Sequence, residues 1–355
     1  MNELNKLIKL SKYAGERFDL VQAGGGNSSV KLENGEMLIK ASGFILSDVE
    51  INNGYSKVLT KQISEIINNK NVITEKNKRN RENITNSLVK DGTISKLNRP
   101  SIETLLHSFL YKYTLHTHPI VVNMVVIKKN WKNILSKIFN KDKIALVSYK
   151  TPGIELALEL NKVLKSSNEI PNIIFLQNHG LIITSSKFED IKKINEYVIE
   201  KIESFLKVDF YKYKLTNKIS ALVNILKNDN NISYLSEDYY LNEQIKLNIK
   251  LFDFPPFCPD GFVFCGFSPV KISNLDDHKI IKSYFKKNFE LPKIIIYKKM
   301  LFFIAQNVKK AKEMEEVMKF HISVLNESNK KINLLEKQEL MYLSNWEAEK
   351  FRQNI

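Results

Sequence analysis

The stretch that most constrains this chain is residues 99–119, RPSIETLLHSFLYKYTLHTHP, which holds one carboxylate and three imidazoles in a single short segment. His116 and His118 lie on either side of one threonine, in an apolar run that stops at Pro119 as a β-strand does. Because positions i and i+2 of a strand face the same side, both rings are predicted to share one face. Two neutral imidazoles can each give a nitrogen to a borderline metal such as Zn²⁺. The pair therefore indicates a metal site that needs a third protein ligand.

His179 is the candidate for that third ligand. It follows the apolar run Ile173–Leu176 and precedes a second apolar run, so it is predicted at a strand end or tight turn. Glu103 precedes a helical pattern and is expected in the first turn, where the helix dipole keeps a carboxylate ionised. A carboxylate beside a divalent metal can act as a ligand or a base. The predicted site has His116, His118 and His179 as metal ligands and Glu103 as the catalytic residue.

Single histidines elsewhere are predicted to be structural, because one imidazole in an apolar run carries little evidence for a ligand. These are His107, His278 and His321.

A glycine-rich stretch, AGGGNSSVK at 23–31, precedes this region. Its backbone N–H groups could approach an anion closely, although a tight structural turn is the better explanation of the glycines by themselves. The next strand, 30–32, is predicted to turn at Asn34-Gly35 and return as 37–40, a hairpin with a type I′ turn signal.

These motifs together resemble the class II aldolase/adducin family, which includes zinc-dependent sugar-phosphate aldolases and a 4-epimerase. The matching stretches are AGGGNSSVK (23–31), LIKASG (38–43), RPSIETLLH (99–107), HTHP (116–119), SYKTPG (148–153) and QNHGLI (177–182). RPSIET with HTHP is most similar to the rhamnulose-1-phosphate aldolase branch, which often occurs fused to a short-chain dehydrogenase.

The resemblance implies an α/β fold with three α/β/α layers and a largely antiparallel central sheet. It implies zinc-dependent cleavage or formation of a ketose 1-phosphate, from dihydroxyacetone phosphate and an aldehyde, through a metal-stabilised enediolate. Glu103 would move the proton, and a tyrosine of a neighbouring subunit, which no residue here can be matched to, would serve the aldehyde oxygen. The partners expected are a small sugar phosphate and further copies of the chain, as in a tetramer.

The phosphate-binding residues implied by the resemblance are Asn27, Ser28, Ser42, Gly43 and Ser101. One position departs from the family pattern: some members have a serine where this chain has Ile102, whose side chain has no hydrogen-bond donor.

Other activities share the same residues. A 4-epimerase or a dehydratase would use the same metal site, although the epimerase branch tends to carry aspartate at the position of Glu103. A non-catalytic, adducin-like binding protein is the remaining alternative, and such members are expected to lose the three histidines.

The composition argues against three properties: nucleic-acid binding, a disulfide scaffold and a membrane-spanning segment. The net charge is +15, but arginine occurs only at positions 17, 79, 81, 99 and 352, with no arginine cluster, so nucleic acid is not an expected partner. Only two cysteines occur, which argues against a disulfide scaffold. No apolar stretch is long enough to span a membrane and the N-terminus has no apolar signal region, so a cytoplasmic protein is expected.

The length of 355 residues predicts about two domains. We expect a catalytic domain at 1–210, a linker helix at 211–234 and a smaller C-terminal α+β module of unknown role at 235–355. The lysine- and asparagine-rich part of 56–98 is predicted to be a solvated loop or helix-edge insertion, and 255–266 is predicted to end in a strand. The ending at 346–352 also resembles the family. Without a GxGxxG motif, no dinucleotide-binding half is expected.

Overall fold

The computed structural model describes residues 1–96, 98–167, 169–226, 230–328 and 332–344. The ending singled out at 346–352 lies outside these residues. The chain divides into two compact units, residues 1–210 and 211–355.

The first unit is built on a seven-stranded sheet in the order β3-β2-β1-β4-β7-β6-β5. The strands are β1 Asn27–Lys31, β2 Glu36–Lys40, β3 Tyr55–Leu59, β4 Tyr113–Thr117, β5 Ile144–Val147, β6 Ile173–Leu176 and β7 Gly180–Ser185. Every neighbouring pair is antiparallel except β5 with β6. The largely antiparallel sheet predicted from the sequence is confirmed.

Nine helices of the first unit lie in its described residues. They are α1 Glu3–Gly15, α2 Thr60–Glu65, α3 Lys70–Thr74, α4 Lys78–Asp91, α5 Thr104–Ser108, α6 Ile120–Val126, α7 Trp131–Ile138, α8 Ile154–Lys165 and α9 Phe188–Leu206. Short 3-10 turns occur at Leu46–Asp48 and Ile66–Asn68.

Helices cover both faces of this sheet. Leu115 and Ile183 belong to one hydrophobic cluster, together with residues of α1, α6, α7 and α9. Ile182, the neighbour of Ile183 in β7, belongs to a second cluster with residues of α2, α5 and α8. Alternate residues of a strand point to opposite faces, so the two clusters are the two sides of the sheet. The three α/β/α layers are present as expected.

Two local predictions for this unit differ from the structure. At the β1–β2 hairpin Gly35 has φ 86°, but Asn34 does not have a positive φ, so the turn is not type I′, which needs both. Gly35 N donates to Leu32 O at 3.2 Å, which gives a longer loop closed by one left-handed glycine. The lysine- and asparagine-rich segment is not a loop: α4 covers most of it and buries Thr85.

The second unit has a four-stranded sheet in the order β8-β11-β10-β9. Its strands are β8 Ile232–Leu235, β9 Val270–Ile272, β10 Ile294–Tyr297 and β11 Met300–Ala305. Its helices are α10 Tyr211–Asn224, α11 Tyr239–Leu247, α12 Pro259–Cys265, α13 His278–Asn288, α14 Val308–Glu327 and α15 Lys337–Ser344, with a 3-10 turn at Ile249–Asp253.

Two stretches of the second unit differ from expectation. The residues expected to be a linker helix form α10, which packs against β8 inside this unit. The strand expected within 255–266 is wrong, because α12 forms there. Pro259 suits a first helical position, and Cys258 Sγ accepts a hydrogen bond from Gly261 N at 3.5 Å, which caps the helix.

None of the described helices combines the length and apolar character that crossing a membrane requires.

The packing of β4 makes a prediction about stability. Leu115 is fully buried in the centre of the sheet, so Leu115→Ala should lower the free energy of unfolding by about 2–5 kcal/mol. Urea denaturation followed by circular dichroism measures this change. Ile127→Ala, an apolar truncation at a side chain that is 65% exposed, is the matched control and should change stability by less than about 0.5 kcal/mol. Equal effects of the two substitutions would contradict the assigned core.

Candidate metal centre

The two closest histidines are presented by β4, which pairs with β1 on one side and with β7 on the other. His116 lies opposite Asn27 of β1 and Ile182 of β7, and its side chain is fully buried. His118 follows the last residue of β4, and its backbone N donates to Leu20 O at 2.9 Å. The two ring centroids lie 4.8 Å apart, so the i and i+2 spacing does place both imidazoles on one side.

His179 reaches the same point from the turn between β6 and β7. Asn178 takes a left-handed backbone conformation there, with φ 52°. A methyl group on Gly180 would lie 2.3 Å from Thr117 O, so only glycine lets this turn approach the end of β4. The Nε2 atom of His116 lies 3.3 Å from Nε2 of His179 and 3.0 Å from Nε2 of His118.

Each of the three histidines offers one ring nitrogen, and these nitrogens all lie within 4.8 Å of one another, so they could hold a divalent metal ion. His116 Nδ1 lies 3.0 Å from Leu181 O. A donated hydrogen bond there leaves Nε2 of the neutral ring unprotonated, as metal ligation needs. A tetrahedral ion with metal–nitrogen bonds of about 2.0–2.1 Å holds its nitrogens about 3.3 Å apart. Within the described ranges, these histidines form the one group of at least three His, Cys, Asp or Glu residues suited to a metal.

Glu103 completes the cluster. It stands immediately before α5, at the N-cap position rather than inside the first turn, and is 5% exposed. Its Oε1 lies 3.2 Å from His179 Nε2 and 3.4 Å from His116 Nε2. Its Oε2 accepts a hydrogen bond from Asn27 Nδ2 at 2.7 Å.

Electrostatics keep this carboxylate ionised. Burial by itself raises the pKa of Glu103, but the charges and hydrogen bonds of His116 and His179 outweigh burial and hold the pKa well below its usual range. His116 and His179 are the groups that lower this pKa. Burial, followed by repulsion from His116 and His179, lowers the pKa of His118 to about 3, so this ring is neutral at pH 7.

The residues expected to bind phosphate are only partly gathered here. Asn27 Nδ2 donates to Ser101 Oγ at 2.7 Å, so these two side chains meet beside Glu103. The Ser28 side chain is not brought to the site, because its Oγ lies 2.6 Å from Ser11 Oγ. Ser28 is the next residue of β1 after Asn27, and its side chain therefore points to the opposite face of the sheet, against α1.

Ser42 and Gly43, the other two residues expected to bind phosphate, lie beside the segment 99–101. Ser42 N donates to Arg99 O at 2.9 Å, and Ala41 forms an antiparallel bridge with Pro100. Ser42 and Gly43 are both exposed, and Gly43 has φ 85°. This bridge holds the exposed turn beside the segment that carries Ser101.

The glycine-rich loop packs against the histidines themselves. A methyl group on Gly25 would lie 2.8 Å from His118 Nδ1, and one on Gly26 would lie 2.9 Å from His116 O. Lys40, which is 4% exposed, donates from Nζ to Gly24 O at 3.1 Å. The loop therefore needs glycine for close approach to β4 and His118, whatever else it binds.

A buried arginine that sequence reasoning missed supports the segment that accepts the backbone hydrogen bond of His118. Arg17 is 1% exposed and donates from Nε and Nη2 to the two carboxylate oxygens of Asp19, at 2.8 and 2.5 Å. Its Nη1 donates to Glu196 Oε1 at 2.6 Å. Leu20, next to Asp19, carries the carbonyl that accepts from His118 N. The only sequence signal was a lone Arg-x-Asp in an apolar surrounding.

Comparison with known proteins agrees with this geometry. The sequence model of the class II aldolase and adducin N-terminal domain matches residues 5–205. The chain belongs to the class II aldolase and adducin family. The expected family is thereby confirmed.

The uncharacterized oxidoreductase YuxG of Bacillus subtilis (strain 168) is a curated relative that is 26% identical over 212 residues. The match covers 57% of this chain but only 29% of YuxG. The name of this relative is consistent with the expected resemblance to chains fused to a dehydrogenase.

Solved structures of the family resemble this chain at low identity. The N-terminal class II aldolase domain of a Thermoplasma acidophilum protein is 22% identical, with a TM-score of 0.49, over 58% of this chain and 94% of that one. A sugar-phosphate aldolase of Thermotoga maritima is 15% identical, with a TM-score of 0.39, over 57% of this chain and 94% of that one.

The glycine loop generates a paired prediction. Gly25→Ala should weaken metal binding by about tenfold or more, because the new methyl group displaces the His118 ring. Gly24→Ala, where a methyl group meets nothing within 4 Å, should leave affinity unchanged. Zinc titration against a chelating dye measures both variants. Equal affinities would show that the His118 ring is not held by this loop.

The Arg17 contact generates a second prediction. Arg17→Met should lower the free energy of unfolding by about 3–5 kcal/mol, because it leaves the Asp19 carboxylate buried without this counter-charge. It should also weaken zinc binding, since Leu20 then holds His118 less firmly. Arg81→Met breaks the 2.6 Å pair with Glu155 and is the control, with zinc affinity unchanged. Loss of zinc affinity in both variants would point to general destabilisation instead.

Proposed function

We propose that this chain is a zinc-dependent class II aldolase that cleaves or forms a ketose 1-phosphate, with dihydroxyacetone phosphate and an aldehyde as the other partners. The convergence of the three imidazole nitrogens with Glu103 Oε1 carries this proposal. Three imidazoles beside a carboxylate are a donor set that zinc prefers, and they leave a coordination position for substrate.

His116, His118 and His179 would hold the ion. A bound divalent ion supplies Lewis acidity that polarises the substrate carbonyl. Glu103 then transfers the proton to or from the carbon next to that carbonyl, since its carboxylate is ionised and lies against two of the imidazoles. The amide of Asn27 orients the carboxylate by donating to its second oxygen.

The phosphate of the substrate is proposed to lie near Asn27, Ser101 and the exposed turn at Ser42 and Gly43. Hydroxyl and backbone N–H donors are the groups that recognise phosphate oxygens in an exposed turn. Ser28 can take part only through its backbone, because its hydroxyl faces Ser11. We also propose that the protein is cytoplasmic and forms a homo-oligomer.

Metal analysis is the first test. The purified protein should contain about one zinc ion per chain, and a His116→Ala/His118→Ala variant should contain none. Elemental analysis of both proteins gives the answer. Zinc-free protein that stays zinc-free after incubation with the metal would overturn the aldolase mechanism and favour an adducin-like binding role.

Activity on ketose 1-phosphates is the second test. Glu103→Gln should keep zinc but lower kcat by about 10²- to 10⁴-fold, because proton transfer is lost. Glu65→Gln, at an exposed side chain of α2, is the control and should not change kcat. Release of dihydroxyacetone phosphate is measured with a coupled assay. An inverted sugar or a loss of water, without cleavage, would instead identify an epimerase or a dehydratase.

A further inference from the structure

A cavity of about 800 Å³ lies in the first unit between α4 and the segment that leads to α5. This volume is within the usual range for small-molecule sites. Its polar lining includes Glu82, Lys90, Lys96, Arg99 and Ser101. No cavity is predicted here from the sequence, because a solvated loop or helix-edge insertion is expected at the residues of α4.

The cavity shares a wall with the candidate metal centre. Ser101 lines the cavity, and its Oγ accepts a hydrogen bond from Asn27 Nδ2 at 2.7 Å. The same amide donates to Glu103 Oε2. A ligand in the cavity that contacts Ser101 is therefore two hydrogen bonds from the carboxylate proposed to move the proton.

Arg99 is placed to meet that ligand. Residues 99–101 are extended, with Ser42 N donating to Arg99 O and Pro100 bridged to Ala41. Because residues two apart in an extended segment face the same side, the Arg99 side chain follows that of Ser101 into the cavity wall. Arg99 is exposed, and within the described parts of the chain its guanidinium forms no hydrogen bond or ion pair, although its charge acts to lower the pKa of Glu82.

The charge of the lining favours an anion. Three cationic side chains, Lys90, Lys96 and Arg99, face one carboxylate, Glu82. Glu82 also accepts a hydrogen bond from the backbone N of Ile154 at the start of α8, so it is engaged there. Clustered cations in a concave, partly desolvated site raise the local concentration of anions.

The side chain of Ile102 cannot help to bind an anion in the cavity, so a cationic side chain is needed there. It is 52% exposed and lines the same cavity, but its side chain offers no hydrogen-bond donor to an anion. Hydroxyl and amide groups can donate hydrogen bonds to an anion, but they carry no net charge to balance it. A guanidinium supplies both the charge and two parallel N–H donors that match the oxygens of a phosphate.

We propose that Arg99 is a further ligand of the substrate phosphate, which it reaches from the cavity wall beside Ser101 and the turn at Ser42 and Gly43. This inference rests on the proposed aldolase function for the identity of the substrate, but the binding of phosphate by Arg99 can be tested without turnover.

The test is calorimetric titration of the full chain, as purified, with inorganic phosphate and with dihydroxyacetone phosphate. Arg99→Gln should weaken the binding of both by about 10- to 100-fold, the loss typical of a hydrogen bond to a charged group. Arg99→Lys should recover part of the loss, because it restores charge without the planar pair of donors. Arg79→Gln is the control, since Arg79 has the same charge on α4 but does not line the cavity.

Each outcome decides the inference. Phosphate affinity that is unchanged in Arg99→Gln, absent from the unmodified protein, or lost equally in Arg79→Gln would overturn it. In the retro-aldol assay, Arg99→Gln should raise KM for the ketose 1-phosphate by a similar factor while kcat changes by less than about threefold. If no ketose 1-phosphate is cleaved, yet phosphate binding depends on Arg99, the aldolase proposal fails and the anion site stands.

Discussion

The backbone pairing of β4 with β1 and β7 is the constraint on which the rest of the candidate site depends. One register places His116 opposite Asn27 on one side and Ile182 on the other. A shift by one residue would turn every side chain of β4 to the other face, into the apolar cluster that now holds Leu115. Burial of that apolar face therefore specifies the orientation of the imidazoles. The same register is needed for the stability of the sheet and for the geometry of the site.

Close approach of backbone segments is the second condition for the site. Gly180 and Gly25 are positions at which even a methyl group would meet the end of β4 or the His118 ring. The ion pair of Arg17 with Asp19 also supports His118, because the next residue, Leu20, accepts the hydrogen bond of His118 N. Side chains that never touch a ligand thus determine how precisely the three nitrogens converge.

Charge compensation links the carboxylate and the imidazoles. A carboxylate that is 5% exposed would ordinarily take up a proton, yet the neighbouring imidazoles hold the pKa of Glu103 low. The cavity beside it is organised differently, because the exposed Arg99 lies in its lining. One side of Ser101 thus holds buried, mutually compensating groups, and the other holds an exposed guanidinium that is suited to an external anion.

Sequence alone determined the features that depend on local periodicity. The two-residue spacing of His116 and His118 indicated one strand face, because that spacing acts between neighbours along the chain. The layered α/β fold was implied by the short motifs that resemble the family. Tertiary structure alone decided that Ser28 faces α1 while Asn27 faces Glu103, that α4 encloses a cavity, and that Arg17 supports His118. Those outcomes depend on contacts such as Asn27 with Glu103, 76 positions apart, and the register and packing that create them are properties of the whole sheet.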